Sequence, residues 1–193
     1  MKKKRGMVLA LIIALLVVAG AGIYTYARYQ TSRTGNGTVT IAKWAAVVKQ
    51  GGSEVSNNFN LTLTPVANSN VASGKVAPGS SATATLVLDL TGTEVVTDYE
   101  VEIGDVSGLP DGMTVSSVTA VQDSQAVTLT QSGSKYTGQV ALADVSKPIT
   151  FTITVTWENS DSAARITSDT TAGEAAGTKT VPVIVTAKQH IGA

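Results

Sequence analysis

A chain of 193 residues with 14 basic and 14 acidic side chains is long enough for one domain with a proper core. It has no cysteine, which excludes disulfides, zinc–thiolate sites and thiol nucleophiles. Without the four basic residues of its N-terminal block, ten basic side chains remain against 14 acidic, a net charge of −4 that argues against nucleic acid as a partner.

The chain opens on Lys2, Lys3, Lys4 and Arg5, runs through 17 apolar residues from Met7 to Ile23, and reaches Thr25-Tyr26-Ala27. Basic, apolar, then small-x-small is the order of a secretory signal, with cleavage expected between Ala27 and Arg28 by a signal peptidase. The apolar run also sits at the lower edge of what spans a bilayer, roughly 17–25 residues. Residues 1–27 therefore read as a signal peptide or an N-terminal membrane anchor, meeting the membrane only through residues 6–23. Either way, residues 28–193 lie outside the cytoplasm, extracellular or at the cell surface.

Residues 28–37 are polar and carry Gly35-Asn36-Gly37, a flexible lead. Thr38 to Lys49 reads as the first strand, with Val39 and Ile41 on one face and Trp44 on the other. Its alternation blurs at Ala45-Ala46-Val47-Val48, which suggests a strand covered on both faces or a bulge. Phe59, Leu61 and Leu63 alternate with polar residues up to Pro65. After the turn Ala77-Pro78-Gly79-Ser80, Ala82 to Leu90 alternates again, and so does Val95 to Ile103, with Asp98, Glu100 and Glu102 outward.

Met113 to Val121 makes another strand. Ala126–Thr130 and Tyr136–Leu142 read as a hairpin around Ser132-Gly133-Ser134. The cleanest alternation is Ile149, Phe151, Ile153, Val155 and Trp157 against four threonines, a pattern that predicts a central core strand. Glu158 to Thr178 is the least strand-like stretch, a long excursion with room for one helical turn near Ala163-Ala164. A last strand follows over Val181 to Ala187, with Pro182 pointing to an edge or a strand start.

Short strands at roughly 8–12-residue spacing and no helical period after the leader predict an all-β fold. The expectation is a single antiparallel two-sheet β-sandwich over residues 38–193, jelly-roll or Ig-like, behind an N-terminal signal or transmembrane helix.

Chemistry-bearing constellations are sparse. The single histidine, His190, lies three residues from the end, where a solvated tail residue is the expectation rather than a Ser-His-Asp triad member. One histidine cannot supply the paired-histidine motif of a zinc protease. Glu158, Asp161 and Asp169 share the late polar loop and are the weak candidates for a calcium site; no other cofactor is implied. Trp44 and Trp157 sit at strand positions, which favours core over a carbohydrate platform. No enzyme emerges from this inventory.

Several stretches together resemble a known family. A leader ending Ile23-Tyr-Thr-Tyr-Ala-Arg-Tyr, a Gly-rich bridge and Val39-Thr-Ile-Ala-Lys-Trp-Ala are similar to exported proteins with SipW-dependent signal peptides, the relatives of TasA and camelysin. The Ala77-Pro78-Gly79-Ser80 turn, Val96-Thr-Asp-Tyr-Glu-Val-Glu-Ile103, Trp157-Glu158, Asp169-Thr-Thr-Ala-Gly173 and Val183-Ile-Val-Thr-Ala-Lys-Gln189 extend the resemblance over most of the chain. It implies a jelly-roll-like bacterial protein, secreted or held at the surface, some of whose relatives build biofilm matrix fibres. Camelysin relatives are described as metalloendopeptidases, an activity for which this chain has no zinc motif. In fibre-forming relatives the mature N-terminal segment completes the sheet of the next subunit. The matching stretch is Arg28 to about Val48, with Val39, Ile41, Trp44 and Val47 as donor-strand residues and copies of the chain, or related matrix subunits, as partners.

The expected function is thus an extracellular-matrix or cell-surface structural protein. Two other readings stand beside it. A pilin-like subunit cut after Gly6 would retain its apolar helix, although Leu11 occupies a place where pilins usually carry glutamate. A surface adhesion or binding module would be favoured by an exposed tryptophan.

Overall fold

The computed structural model describes residues 40–56, 58–175 and 177–192. The leader over residues 1–27, the Ala27–Arg28 junction, the lead over residues 28–37 and Val39 lie outside the described residues. No helix among the described residues is long and apolar enough to cross a membrane.

Alternating β-branched and apolar side chains fold into two antiparallel sheets. The first contains β1 (Val47–Gln50), β2 (Ser53–Glu54), β4 (Thr64–Pro65), β5 (Ser80–Asp89), β7 (Met113–Gln122), β8 (Gln125–Val127) and β11 (Ile149–Trp157). Its order is β2-β1-β5-β11-β7-β8, with the short β4 also pairing β5. The second contains β3 (Asn58–Asn60), β6 (Thr97–Ile103), β9 (Thr130–Ser132), β10 (Lys135–Val140) and β12 (Pro182–Gln189), in the order β3-β12-β6-β10-β9. The fold is all-β apart from one 3-10 turn at Leu142–Asp144 and one helix, α1 (Ala163–Ala175).

The threonine-rich strand is central, as its pattern predicts. β11 pairs β5 on one side and β7 on the other, setting Phe151 opposite Leu86 and Ala120. Its apolar side chains are buried and its threonines half-buried on the outer face. The inner faces of both sheets meet in one core, where Leu86, Phe151 and Ile153 of the first sheet pack with Tyr99, Val101 and Val183 of the second. Tyr99 meets Phe151 edge-on, with ring centroids 5.4 Å apart and planes at 69°. From β5 onward the long strands β5, β6, β7, β10, β11 and β12 alternate between the sheets, so consecutive long strands face each other across the core instead of pairing.

The structure corrects several readings. Of the strand expected over Thr38–Lys49, residues 40–46 are not a strand, and β1 begins at Val47. Phe59–Thr64 is divided between β3 and β4, which belong to different sheets. The hairpin expected around Ser132-Gly133-Ser134 forms between β9 and β10, but its first arm is Thr130–Ser132 rather than Ala126–Thr130, because β8 folds back on β7. The late excursion holds a 13-residue helix rather than a single turn. Pro182 opens β12, which lies between β3 and β6.

Candidate functional site

The stretch before β1 is held by side chains rather than by a ladder. The Lys43 amide donates to Glu94 Oε2 at 2.9 Å, and the Glu94 amide donates to the Lys43 carbonyl at 3.0 Å. The Ala45 amide donates to Thr93 Oγ1 at 3.0 Å, and the Thr93 hydroxyl donates back to the Ala45 carbonyl. A buried threonine and the turn it sits on thus replace a strand partner, and residues 43–45 become a strap over the end of β5.

β1 then joins β5, with Val48 opposite Leu88 and Lys49 opposite Val87. Lys49 Nζ reaches Asp89 Oδ2 at 2.9 Å. That bond, with further donation from Thr91, pulls the Asp89 carboxyl down to about 2.

Across the core from β1 runs β12. β3 covers its outer edge only at Pro182, Val183 and Ile184. From Val185 to Gln189 no strand among the described residues pairs with that edge. A groove of about 200 Å³ opens beside it, between the margins of the two sheets. Trp44, Val47, Val48 and Leu88 line one wall, and Val185 and Ala187 the other. Backbone that no described strand pairs, next to a slot between the sheets, is the chemistry that accepts an added strand: the backbone supplies hydrogen bonds and the slot takes alternate side chains.

The far end of β12 is fixed from its covered side. The His190 amide donates to the Val96 carbonyl at 2.8 Å, extending the β12–β6 ladder. Its Nδ1 lies 3.0 Å from Asp98 Oδ2 and 2.9 Å from Gln139 Nε2. Gln139, and after it His190, hold the Asp98 carboxyl below its usual range. His190 is exposed, as expected of a residue near the end, but it is held as a clasp by Asp98 and Gln139.

None of the known family models matches this chain. No curated protein and no solved structure is similar to it either.

The residues singled out by sequence distribute unevenly. Trp44 and Val47 both line the groove, with Trp44 45% exposed. Ile41 is 86% exposed and stands apart from it. The strand placement that favoured a core Trp44 fails because residues 40–46 are not a strand. Trp157 is buried at the end of β11 and donates through Nε1 to Asp169 Oδ1 at 3.0 Å.

Asp169 also accepts from Arg165 Nε at 3.2 Å, and Arg165 reaches the Glu158 carbonyl at 3.0 Å. Asp169 is thus engaged in fixing α1 to the end of β11. It is not brought together with Glu158 and Asp161 as a carboxylate cluster, and no group of three metal-ligating side chains exists among the described residues.

The sequence carries one signal of the β12 edge, Pro182, which pointed to an edge or a strand start; β3 pairs the first three residues of this eight-residue strand.

Proposed function

We propose that this chain is an exported structural protein of a bacterial cell surface or extracellular matrix, and that it assembles by adding a strand from one copy to the β12 edge of the next. The observation that carries this reading is the edge from Val185 to Gln189, which no strand among the described residues pairs, beside a groove between the sheet margins. The resemblance to TasA and camelysin relatives points the same way.

The donated stretch lies ahead of Lys43, because Trp44 and Val47 form the groove wall of their own subunit. Val39 and Ile41 remain the donor residues, and the lead over residues 28–37 gives the reach: about 3.3–3.6 Å per extended residue. A leader cleaved after Ala27 would free this arm, whereas an uncleaved one would tether it. The alternation of long strands between sheets favours a jelly-roll sandwich over an Ig-like one, whose sheets contain sequence-adjacent hairpins.

The exposure of Trp44 favours one second reading, a surface module that binds a partner through the groove. Electron micrographs of the exported protein separate the two. Filaments that vanish when residues 28–37 are deleted support strand donation. Filaments that persist after the deletion sink that mechanism, and a protein monomeric at all concentrations leaves the binding module as the better reading.

A further inference from the structure

A second concavity, of about 580 Å³, lies on the outer face of the β3-β12-β6-β10-β9 sheet and shares Thr186 with the groove. Its size falls within the range of small-molecule sites, roughly 300–1,000 Å³. Its walls interleave polar side chains with apolar surface: Asp98 and Glu100 on β6, Thr137 and Gln139 on β10, and Thr186 and Lys188 on β12 stand around Tyr99 and Gly138. The polar positions face outward because β6, β10 and β12 alternate, with their inward partners committed to the core.

We propose that this trough binds an oligosaccharide made of neutral or amine-bearing sugars. A sugar hydroxyl both donates and accepts, so it is matched by walls that interleave carboxylate, hydroxyl and amide groups. Other ligand classes fit the same walls poorly. An apolar ligand finds no aliphatic wall. A phosphate or uronic acid would face Asp98 and Glu100 with only Lys188 in opposition along the lining. A divalent cation finds no cluster of three ligating side chains among the described residues.

The acceptors are also fixed in advance. Gln139 Nε2 holds Asp98 Oδ1 at 3.0 Å while His190 holds the other oxygen, and Lys135 Nζ holds Glu100 Oε1 at 2.7 Å. Held side chains lose little rotamer freedom when a ligand arrives, which favours binding. This inference is independent of strand donation, since it uses the outer face and not the edge of the sheet.

The test is a titration of the exported protein with three probes: chitotetraose, its fully deacetylated glucosamine tetramer, and a tetragalacturonate. Backbone amide shifts read the result. Saturable shifts centred on Gly138, Gln139 and Thr186 with either of the first two sugars, and at least tenfold weaker response to the acidic one, are the expected outcome. Thr186→Arg fills the trough without touching the core and should weaken binding at least tenfold. If that variant misfolds, Thr137→Lys serves the same purpose from β10. No saturable shift with the neutral and amino sugars, tightest binding of the acidic one, or binding indifferent to a folded trough-filling variant would each overturn the proposal.

Discussion

Tyr99 shows how one residue can be well packed and poorly satisfied at once. Its ring is 2% exposed and stacks edge-on against Phe151, yet its buried hydroxyl has no hydrogen-bond partner among the described residues. Burial also pushes its ionisation upward. An orphaned buried hydroxyl costs roughly 1–3 kcal/mol, so Tyr99→Phe should stabilise the protein by about 1 kcal/mol and raise Tm by a few degrees. Across the ladder, Gly138 leaves room for that hydroxyl: a Cβ there would lie 2.2 Å from Tyr99 Oη and 2.4 Å from Cζ. Gly138→Ala should therefore destabilise by about 1–3 kcal/mol, the range of core overpacking. Combining it with Tyr99→Phe should recover only part of the loss, because the ring carbon still collides; a double-mutant cycle by chemical denaturation measures the coupling. Asp169 is the converse case, a carboxylate with two donors. Asp169→Ala removes the acceptor of the Trp157 indole and of Arg165 Nε, leaving Arg165 its bond to the Glu158 carbonyl, and should cost roughly 2–3 kcal/mol. Calcium should not change the melting temperature of the unmodified protein, and a calcium-dependent rise would reinstate a metal site in that loop.

At the scale of elements, the strap over residues 43–45 is the piece whose attachment can be tuned. Thr93→Val removes both hydrogen bonds to Ala45 while keeping shape, and at roughly 0.5–1.5 kcal/mol each it should cost about 2 kcal/mol. Hydrogen exchange should show the loss concentrated in residues 43–50, and uniform loss across the molecule would mean that the strap is not a separate unit. Such elements were unevenly legible in the sequence. Strict alternation marked β5, β6 and β11 because each has one face in the core, where a slip of one residue would bury polar side chains. The β7–β8 hairpin was hidden because its turn is Asp123-Ser124, two non-glycine residues held at φ of 51° and 64°. The helix was hidden because α1 buries none of its residues and so carries no apolar stripe; it is fixed by polar contacts of Arg165 to Glu158, Asp169 to Trp157 and Ser168 to Asp111. The groove was half legible: Trp44 and Val47 stood out, but the wall they face comes from β12, whose edge only Pro182 signals.

The whole molecule is held by pairings between remote segments, as Leu86 with Phe151 and Val101 with Val185 show. Chains built that way fold slowly, in milliseconds to seconds, and their sheets stand or fall together, since neither sheet has a core without the other. Acid should separate this global unit from the strap that lies on it. Asp89 ionises well below its unfolded value of about 4, so its bond to Lys49 contributes stability that is fully present above pH 4 and lost as pH falls toward about 2. Asp98 is depressed too, so the His190 clasp at the end of β12 weakens in the same direction. The first loss falls on β1, which carries a wall of the groove, and the second on the far end of β12, while the central pairing of β5, β11 and β7 contains no carboxylate on its buried face. The two tryptophans report on the two regions. Trp44 sits on the strap and Trp157 in the buried end of β11, so single-tryptophan variants, Trp157→Phe and Trp44→Phe, follow each by fluorescence. Between pH 4 and 2 the Trp44 signal should shift to that of a solvated indole while Trp157 stays native. Asp89→Asn should place Trp44 in its released state even at neutral pH and flatten its pH response. If both tryptophans change at one midpoint, the strap melts only with the sheets, and an acid-released groove wall is ruled out.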